Sequence, residues 1–335
     1  MRSKVASWSV RIIGAAFALV CALLIIGFAY EKIGEIRDAR KFPVPGTMFD
    51  VDGQKLHLFC KGEGNPTVVL VPGASSPSFQ WFGVQSSVAE FTRACTYDRP
   101  GYGWSAPSPS PLSMSQHVKE LHALLADARI QEPYVLVGHS YGGALVRLFA
   151  RDYPSEVAGM VLVDSVEARF YSSPGHLEFE KEDKRSARIE ELKARFGLTR
   201  FRTRNYPMPG PISWPELYRE RADEIGTLVS PDKNGSTGTL GNMPLAVIRH
   251  GVSFPASILP RDETAEQYEA EWLDAQKRLA TLSTDSELVV AQHSGHEVNL
   301  DQPSIIVDEI NLIVAATRGH IPLSQSSGTD ASPVH

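Results

Sequence analysis

Pro133 to Arg147, reading PYVLVGHSYGGALVR, constrains this chain more than any other stretch. Tyr134 to Val137 is an apolar, β-favouring run with the length of a fully buried strand. Gly138-His139-Ser140-Tyr141-Gly142 then supplies G-x-S-x-G, with Gly143 behind it. Ala144, Leu145, Leu148 and Phe149 follow at helical spacing. Strand, tight turn and helix together form the setting in which G-x-S-x-G makes a nucleophile elbow. The serine sits in a strained turn, and only small residues two positions to either side let neighbouring backbone pass so close. Ser140 Oγ is therefore expected to project at the C-terminal end of a strand, where a helix N-terminus favours negative charge beside it. The alternative is a glycine-rich turn with an exposed serine and no chemistry. The flanking strand and helix favour the elbow.

The rest of the chain repeats this alternation. Met48 to Val51 and Lys55 to Cys60 flank Asp52-Gly53, a two-residue hairpin signal. Thr67 to Val71 is a continuous apolar run, as for a strand covered on both faces, and it ends in Pro72-Gly73-Ala74-Ser75-Ser76. Arg93 to Tyr97 is a further short strand, followed by Asp98-Arg99-Pro100-Gly101-Tyr102-Gly103-Trp104-Ser105. A helix begins near Ser113, which makes a capping box with Gln116, and Val118, Leu121, Leu124 and Leu125 form its apolar stripe. Ala158 to Val163 is another buried strand, ending at Asp164. Strands alternating with helices predict a mostly parallel sheet with helices on both faces.

From residue 166 to about 242 the rhythm breaks. Glu178 to Phe196 and Trp214 to Leu228 read as charged helices. An insertion of this size between two sheet strands is expected to lie over the sheet's C-terminal edge as a helical lid. Pro244 to Arg249 resumes the sheet, a helix follows near Ala265 to Leu282, and Glu287 to Ala291 is the last strand. Gln292-His293-Ser294-Gly295-His296-Glu297 comes next, then a closing helix from Ile305 to Ala315. Residues 46–165 and 243–322 thus form the α/β core, and the Ser-, Gly- and Pro-containing tail 323–335 is expected to be disordered.

The first residues differ in kind. Ile12 to Tyr30 carries no charge and is long enough to cross a bilayer as a helix. Arg2, Lys4 and Arg11 precede it, which places that end in the cytoplasm and everything after Tyr30 on the far side. Residues 1–31 are read as an anchor and 32–45 as a charged stalk. A cleaved signal peptide is the rival, with Gly27 and Ala29 near the cleavage site, and would leave the body secreted or periplasmic. The net charge of −6 and the absence of a basic run in the body argue against nucleic acid as a partner. Oligomeric state is not legible.

A serine hydroxyl needs a base within hydrogen-bond reach, itself oriented by an acid. Of the histidines, His57, His117 and His122 fall in strand or helix patterns, and the side chain of His139 points into the fold. His293 and His296 share the loop after the last strand, and His296 follows a Ser-Gly pair that frees the backbone to present it. Asp164 leaves its strand at the same sheet edge as Ser140. Its rivals as the acid are Asp262 and Asp285. The strand ending at Arg249 leads into His250-Gly251-Val252 with no carboxylate, which moves the acid back one strand to Asp164.

These residues resemble the α/β-hydrolase superfamily over nearly all of Phe49 to Ala316. The likeness is carried by the Ser140 elbow, the loop Asp98 to Gly103, and Ser294-Gly295-His296, in the superfamily's order Ser140, Asp164, His296. It implies an α/β-hydrolase fold with an eight-stranded, mostly parallel sheet, and an oxyanion hole from the backbone N–H groups of Ala74 and Tyr141. Two features depart from the pattern: Pro72-Gly73 stands where many members read His-Gly, and the acid follows the sixth strand. The implied activity is hydrolysis of a small-molecule carboxylic ester through an acyl-enzyme on Ser140, with no metal or organic cofactor. Members with an aspartate at the elbow, the epoxide hydrolases and haloalkane dehalogenases, are disfavoured by Ser140. An amidase or aminopeptidase, a cofactor-free perhydrolase and a non-catalytic, membrane-anchored ligand-binding protein of the same fold stay open. Phe170, Tyr171, Phe179 and Trp214 are candidates to line an apolar acyl pocket. The superfamily's strand order also makes the second and fourth strands neighbours, which implies a Cys60–Cys95 disulfide in an exported body.

Overall fold

The computed structural model describes residues 2–109, 113–167, 169–170, 174–205, 210–228, 238–255, 259–260, 263–319 and 321–323. Tyr171, Asp262, the Phe179 side chain and the tail beyond Leu323 lie outside them. The strands are β1 (Thr47–Val51), β2 (Gln54–Lys61), β3 (Thr67–Val71), β4 (Ala94–Asp98), β5 (Tyr134–His139), β6 (Val157–Val163), β7 (Leu245–His250) and β8 (Ser286–Ala291). They form one sheet in the order β1-β2-β4-β3-β5-β6-β7-β8. β2 runs antiparallel to β1 and β4, and the remaining pairs are parallel.

Asp52 and Gly53 both take positive φ, 50° and 83°, the backbone that a two-residue hairpin requires and that Asp-Gly adopts readily. Every residue of β3, β4 and β5 is buried. Alternate side chains serve opposite faces of the sheet. Val69, Val71 and Leu136 join Val118, Leu121 and Leu145, from α3 (Met114–Asp127) and α4 (Tyr141–Asp152). Val68, Leu70, Val135 and Val137 join Val84 and Val88 of α2 (Phe82–Val88) and Ile306, Ile310 and Ile313 of α10 (Pro303–Gly319). Each such valine or leucine stabilises the sheet by about 1.5–3 kcal/mol relative to exposure. Ser113 and Gln116 make the capping box of α3, and Thr264 and Gln267 make a second one for α8 (Ala265–Ala280). A single turn, α9 (Val298–Asp301), precedes α10.

Between β6 and β7 lie α5 (Pro174–Arg195), α6 (Leu198–Thr203) and α7 (Trp214–Leu228). α5 packs on α7, tied by Arg188 to Asp223 and by Arg221 to Asp183 at 2.8 Å. Gly197, at φ 70°, turns the chain from α5 into α6.

α1 (Arg2–Lys41) is one unbroken helix and, among the described residues, the one helix long and apolar enough to cross a membrane. The stretch expected as a stalk continues this helix to Lys41 and packs on the insertion rather than standing clear of it. Glu31 is buried against Arg200, with Oε2 and Oε1 3.0 and 3.1 Å from the guanidinium. Leu323, expected to start the tail, is also buried, and its N–H donates to Asp285 at 3.0 Å.

Candidate active site

The β5–α4 turn places Ser140 at the N-cap of α4 with φ 51° and ψ −117°, a conformation that only an over-determined turn holds. The surrounding glycines explain how it is held. A Cβ on Gly142 would lie 2.2 Å from Val71 O, and one on Gly143 would lie 2.0 Å from Ser165 Oγ. The β3 backbone on one side and the Ser165 side chain just past β6 on the other therefore close around the turn.

Asp164 follows β6 at the same edge, fully buried, at φ 41°. Its carboxylate accepts four donors. His296 Nδ1–H donates to Oδ2 at 2.6 Å and Trp272 Nε1–H to Oδ1 at 2.9 Å. His250 supplies the other two, its backbone N–H at 3.1 Å and its ring Nδ1 at 2.8 Å. Burial alone would raise the carboxyl pKa, but these bonds, from His250 and then His296, hold it well below the usual range. His139 Nε2–H donates to the His296 carbonyl at 2.8 Å, so the residue beside Ser140 pins the loop that carries His296. Burial, and next the nearby His296, lower the pKa of His139, in keeping with a neutral ring.

Asp285 precedes β8 at the opposite edge of the sheet, far from this cluster in the topology. His293 is exposed. Phe170 packs on Tyr268 and Trp272, with ring centroids 5.2 and 5.0 Å apart, beside the Asp164 cluster. Trp214 lines a different cleft, between α7 and α1.

The Pro72-Gly73-Ala74 loop is held from behind by Arg99, whose Nη1 and Nη2 donate to Pro72 O and Gly73 O at 2.6 and 2.7 Å. Arg99 Nε donates to Glu224 of α7 at 2.7 Å, and Tyr102 OH donates to the same carboxylate at 2.8 Å. Ser75 N–H donates to that Tyr102 oxygen at 3.3 Å. A Cβ on Gly73 would lie 3.3 Å from Ser140 Cβ, so this loop faces Ser140 directly. Asp98, one residue earlier, accepts from Ser78 N–H at 2.6 Å, Trp104 N–H at 3.1 Å and the His57 ring at 2.8 Å. Sequence reasoning missed His250, Trp272, Glu269, whose Oε2 lies 2.9 Å from His250 Nε2, and the Arg99–Glu224 link. The one available signal was His250 standing where a carboxylate was sought.

Among the described residues, two groups bring three ligand-type side chains within 4.8 Å: His139, His296 and Glu297, and His176, Glu263 and Glu271. In the first, His296 Nδ1 is committed to Asp164 and His139 Nε2 to a carbonyl, so the set reads as a hydrogen-bonded pair of histidines rather than a metal cradle.

Cys60 and Cys95 are directly opposed in the β2–β4 register and form a disulfide.

A strained serine turn, a buried Asp–His pair and the Pro72-Gly73-Ala74 loop meet at one edge of a mostly parallel sheet, as in a hydrolase fold. A sequence model of the alpha/beta hydrolase family matches residues 68–309, and the chain belongs to that family. It is 28% identical to the uncharacterized protein YqjL of Bacillus subtilis over 264 residues, 77% of this chain and 87% of that one. A thermophilic esterase from Thermogutta terrifontis is similar in structure, with TM-score 0.59 and 21% identity over 79% of this chain and 96% of the other. A putative epoxide hydrolase from Pseudomonas aeruginosa reaches TM-score 0.61 at 17% identity, covering 82% of this chain and 96% of its own.

Proposed function

We propose that this protein is a membrane-anchored serine hydrolase that cleaves carboxylic esters through an acyl-enzyme on Ser140. The observation that carries the reading is the 2.6 Å hydrogen bond from His296 to Asp164, made at the sheet edge where the strained turn presents Ser140. With Nδ1–H bound to Asp164, the His296 tautomer leaves Nε2 as the base. Nε2 takes the Ser140 proton as Oγ attacks the ester carbonyl. The tetrahedral oxyanion accepts from the N–H groups of Ala74 and Tyr141, the latter at the first position of α4, where backbone N–H groups point out of the helix. One such donor is worth about 3–4 kcal/mol of transition-state stabilisation. Asp164 stabilises the imidazolium, which passes its proton to the leaving alcohol. Water, deprotonated by the same nitrogen, then frees the acid and regenerates Ser140.

Serine at the elbow separates this chain from epoxide hydrolases, whose nucleophile is an aspartate, although the fold is shared. The helices α5 to α7 act as a lid, since Glu224 of α7 reaches the support of the oxyanion loop. α1 spans the membrane by Ile12 to Tyr30, with Arg2, Lys4 and Arg11 on the cytoplasmic side and the hydrolase exported.

Labelling the full-length protein with a fluorophosphonate and mapping the adduct tests the chemistry. Labelling at Ser140, lost in Ser140→Ala together with ester hydrolysis and with the thermal melt nearly unchanged, is expected. Labelling that survives the substitution rejects it. Ester, amide and peracid panels then separate the reactions. Protease added to sealed spheroplasts should digest the body of the protein, and protection until lysis rejects the topology.

A further inference from the structure

The uncharged stretch Ile12 to Tyr30 rises about 28 Å as a helix, close to the ~30 Å hydrocarbon core of a bilayer. Its end therefore fixes where the membrane surface lies on the molecule. Gly27 sits three residues inside that end, about 4.5 Å down the helix. The α5–α6 corner meets α1 there. A Cβ on Gly27 would lie 2.3 Å from Phe196 O, and one on Gly197 would lie 2.7 Å from Gly27 O. Backbone meeting backbone at glycines is how helices approach closely within membranes.

Above this contact the corner is clamped. Arg200 of α6 donates to Glu31 at 3.0 Å and to Asp38 at 2.6 Å, and Ser213 Oγ donates to Glu35 at 2.8 Å. Leu198 and Phe201, just past the corner, leave 50% and 56% of their surface uncovered. Arg37, Lys41 and Arg204 line the neighbouring cleft with Tyr30 and Trp214. Among the described residues none of these three cations is in an ion pair, and Asp38, the one acid lining the cleft, is taken by Arg200. The Arg204 guanidinium lies over the Phe201 ring, 4.1 Å from its centroid, so cation and apolar ring meet at one boundary. Apolar side chains next to the hydrocarbon edge, with tyrosine, tryptophan and cations that have no acidic partner beside them, match the layering of a bilayer surface rich in anionic lipid.

We propose that the α5–α6 corner is seated in the bilayer that α1 crosses. Leu198 and Phe201 lie among the acyl chains where these join the headgroups, and Arg37, Lys41 and Arg204 face anionic headgroups. The inference rests on the membrane-spanning reading of α1. It makes the lid a membrane-bound element, continuous through α5 and α7 with Glu224 and the loop that Arg99 holds.

Full-length protein carrying a nitrobenzoxadiazole label at one cysteine, in vesicles of phosphatidylcholine and phosphatidylglycerol, tests it. Native Cys21, at the middle of the apolar stretch, reports the anchor. Phe201→Cys in a Cys21→Ala background reports the corner, and Ser87→Cys, exposed on α2, reports the water-facing body. Expected are quenching of Cys21 by lipids with a nitroxide near the chain end, and blue-shifted emission of Phe201→Cys with quenching by a nitroxide near the headgroup. Ser87→Cys should stay unquenched. Quenching at Cys21 while Phe201→Cys behaves like Ser87→Cys overturns the seated corner and leaves the anchor standing. No quenching at Cys21 overturns the anchor and the inference with it. Combining Arg37→Gln, Lys41→Gln and Arg204→Gln should reduce quenching at position 201 severalfold in the mixed vesicles. Pure phosphatidylcholine should do the same. Equal quenching in all cases overturns the role given to anionic headgroups.

Discussion

His250 grips the Asp164 carboxylate with backbone and ring together, its N–H 3.1 Å from Oδ1 and its Nδ1 2.9 and 2.8 Å from the two oxygens. The other ring nitrogen lies 2.9 Å from Glu269 Oε2. Ionised carboxylates only accept, so the imidazolium is the form that satisfies both partners. Burial would lower the His250 pKa, but Asp164 and then Glu269 raise it above the ordinary value. Asp164 is thereby kept ionised and fixed in orientation while it holds His296.

Asp164→Asn should lower turnover by about 10⁴, the cost seen when a triad acid is neutralised with its geometry intact. Asp285→Asn, at the far edge of the sheet, should leave turnover near wild type. Initial rates on a chromogenic ester decide it, and the reverse pattern would place the acid elsewhere.

Stability should depend on pH through His250. A group with a raised native pKa contributes fully below its unfolded value of about 6.5, and the contribution is lost as pH rises through the higher native value. The depressed Asp164 acts in the acid range, its contribution present above about 3.9 and lost as pH falls through the lower native value. In melting scans at rising pH, the gap between wild type and His250→Gln should therefore narrow on the alkaline side of about 6.5. A gap that stays constant across this range contradicts the charged His250.

Glu224→Gln removes the charge that faces a fully buried Arg99. Breaking one partner of a buried pair typically costs about 3–5 kcal/mol, and a chemical-denaturation curve should show a loss of that order. Because Arg99 also holds Pro72 O and Gly73 O, kcat should fall more than KM rises. An unchanged kcat in protein that remains folded would detach the lid from the oxyanion loop.

Thiol titration of the denatured, unreduced full-length chain should find one thiol, Cys21, and three after reduction. Closing a loop with a sequence separation of 35 residues should stabilise the body by about 3–4 kcal/mol on the chain-entropy account. Three thiols before reduction would exclude the bridge.

The elbow was legible because its signals are local: a β-favouring run, three glycines and a helical stripe within fifteen residues of each other. The hairpin at Asp52-Gly53 and the cap at Ser113 are equally short-range, and the sheet follows from their alternation. The pairing of Asp164 with His296 could be anticipated by elimination, from what the strand after Asp164 lacks. The Arg99–Glu224 contact spans 125 residues and His250–Asp164 spans 86, and no periodicity encodes which buried charge meets which across such distances. Glu31 to Lys41 reads as a helical or extended stalk, and its packing against the insertion was hidden for the same reason: a charged stretch reads as solvated until its partner Arg200, far along the chain, is known.

The unbroken course of α1, clamped at its outer end by Arg200, has a kinetic consequence. With Ile12 to Tyr30 in a bilayer, a rod without a swivel holds the hydrolase at one height, and encounter with a lipid-borne ester becomes a two-dimensional search. Tethering replaces bulk concentration by a local one, in the millimolar range for short links. Turnover of such an ester would then follow its mole fraction within the leaflet. Diluting the suspension would leave the rate per enzyme unchanged, and diluting the ester with inert lipid would slow it.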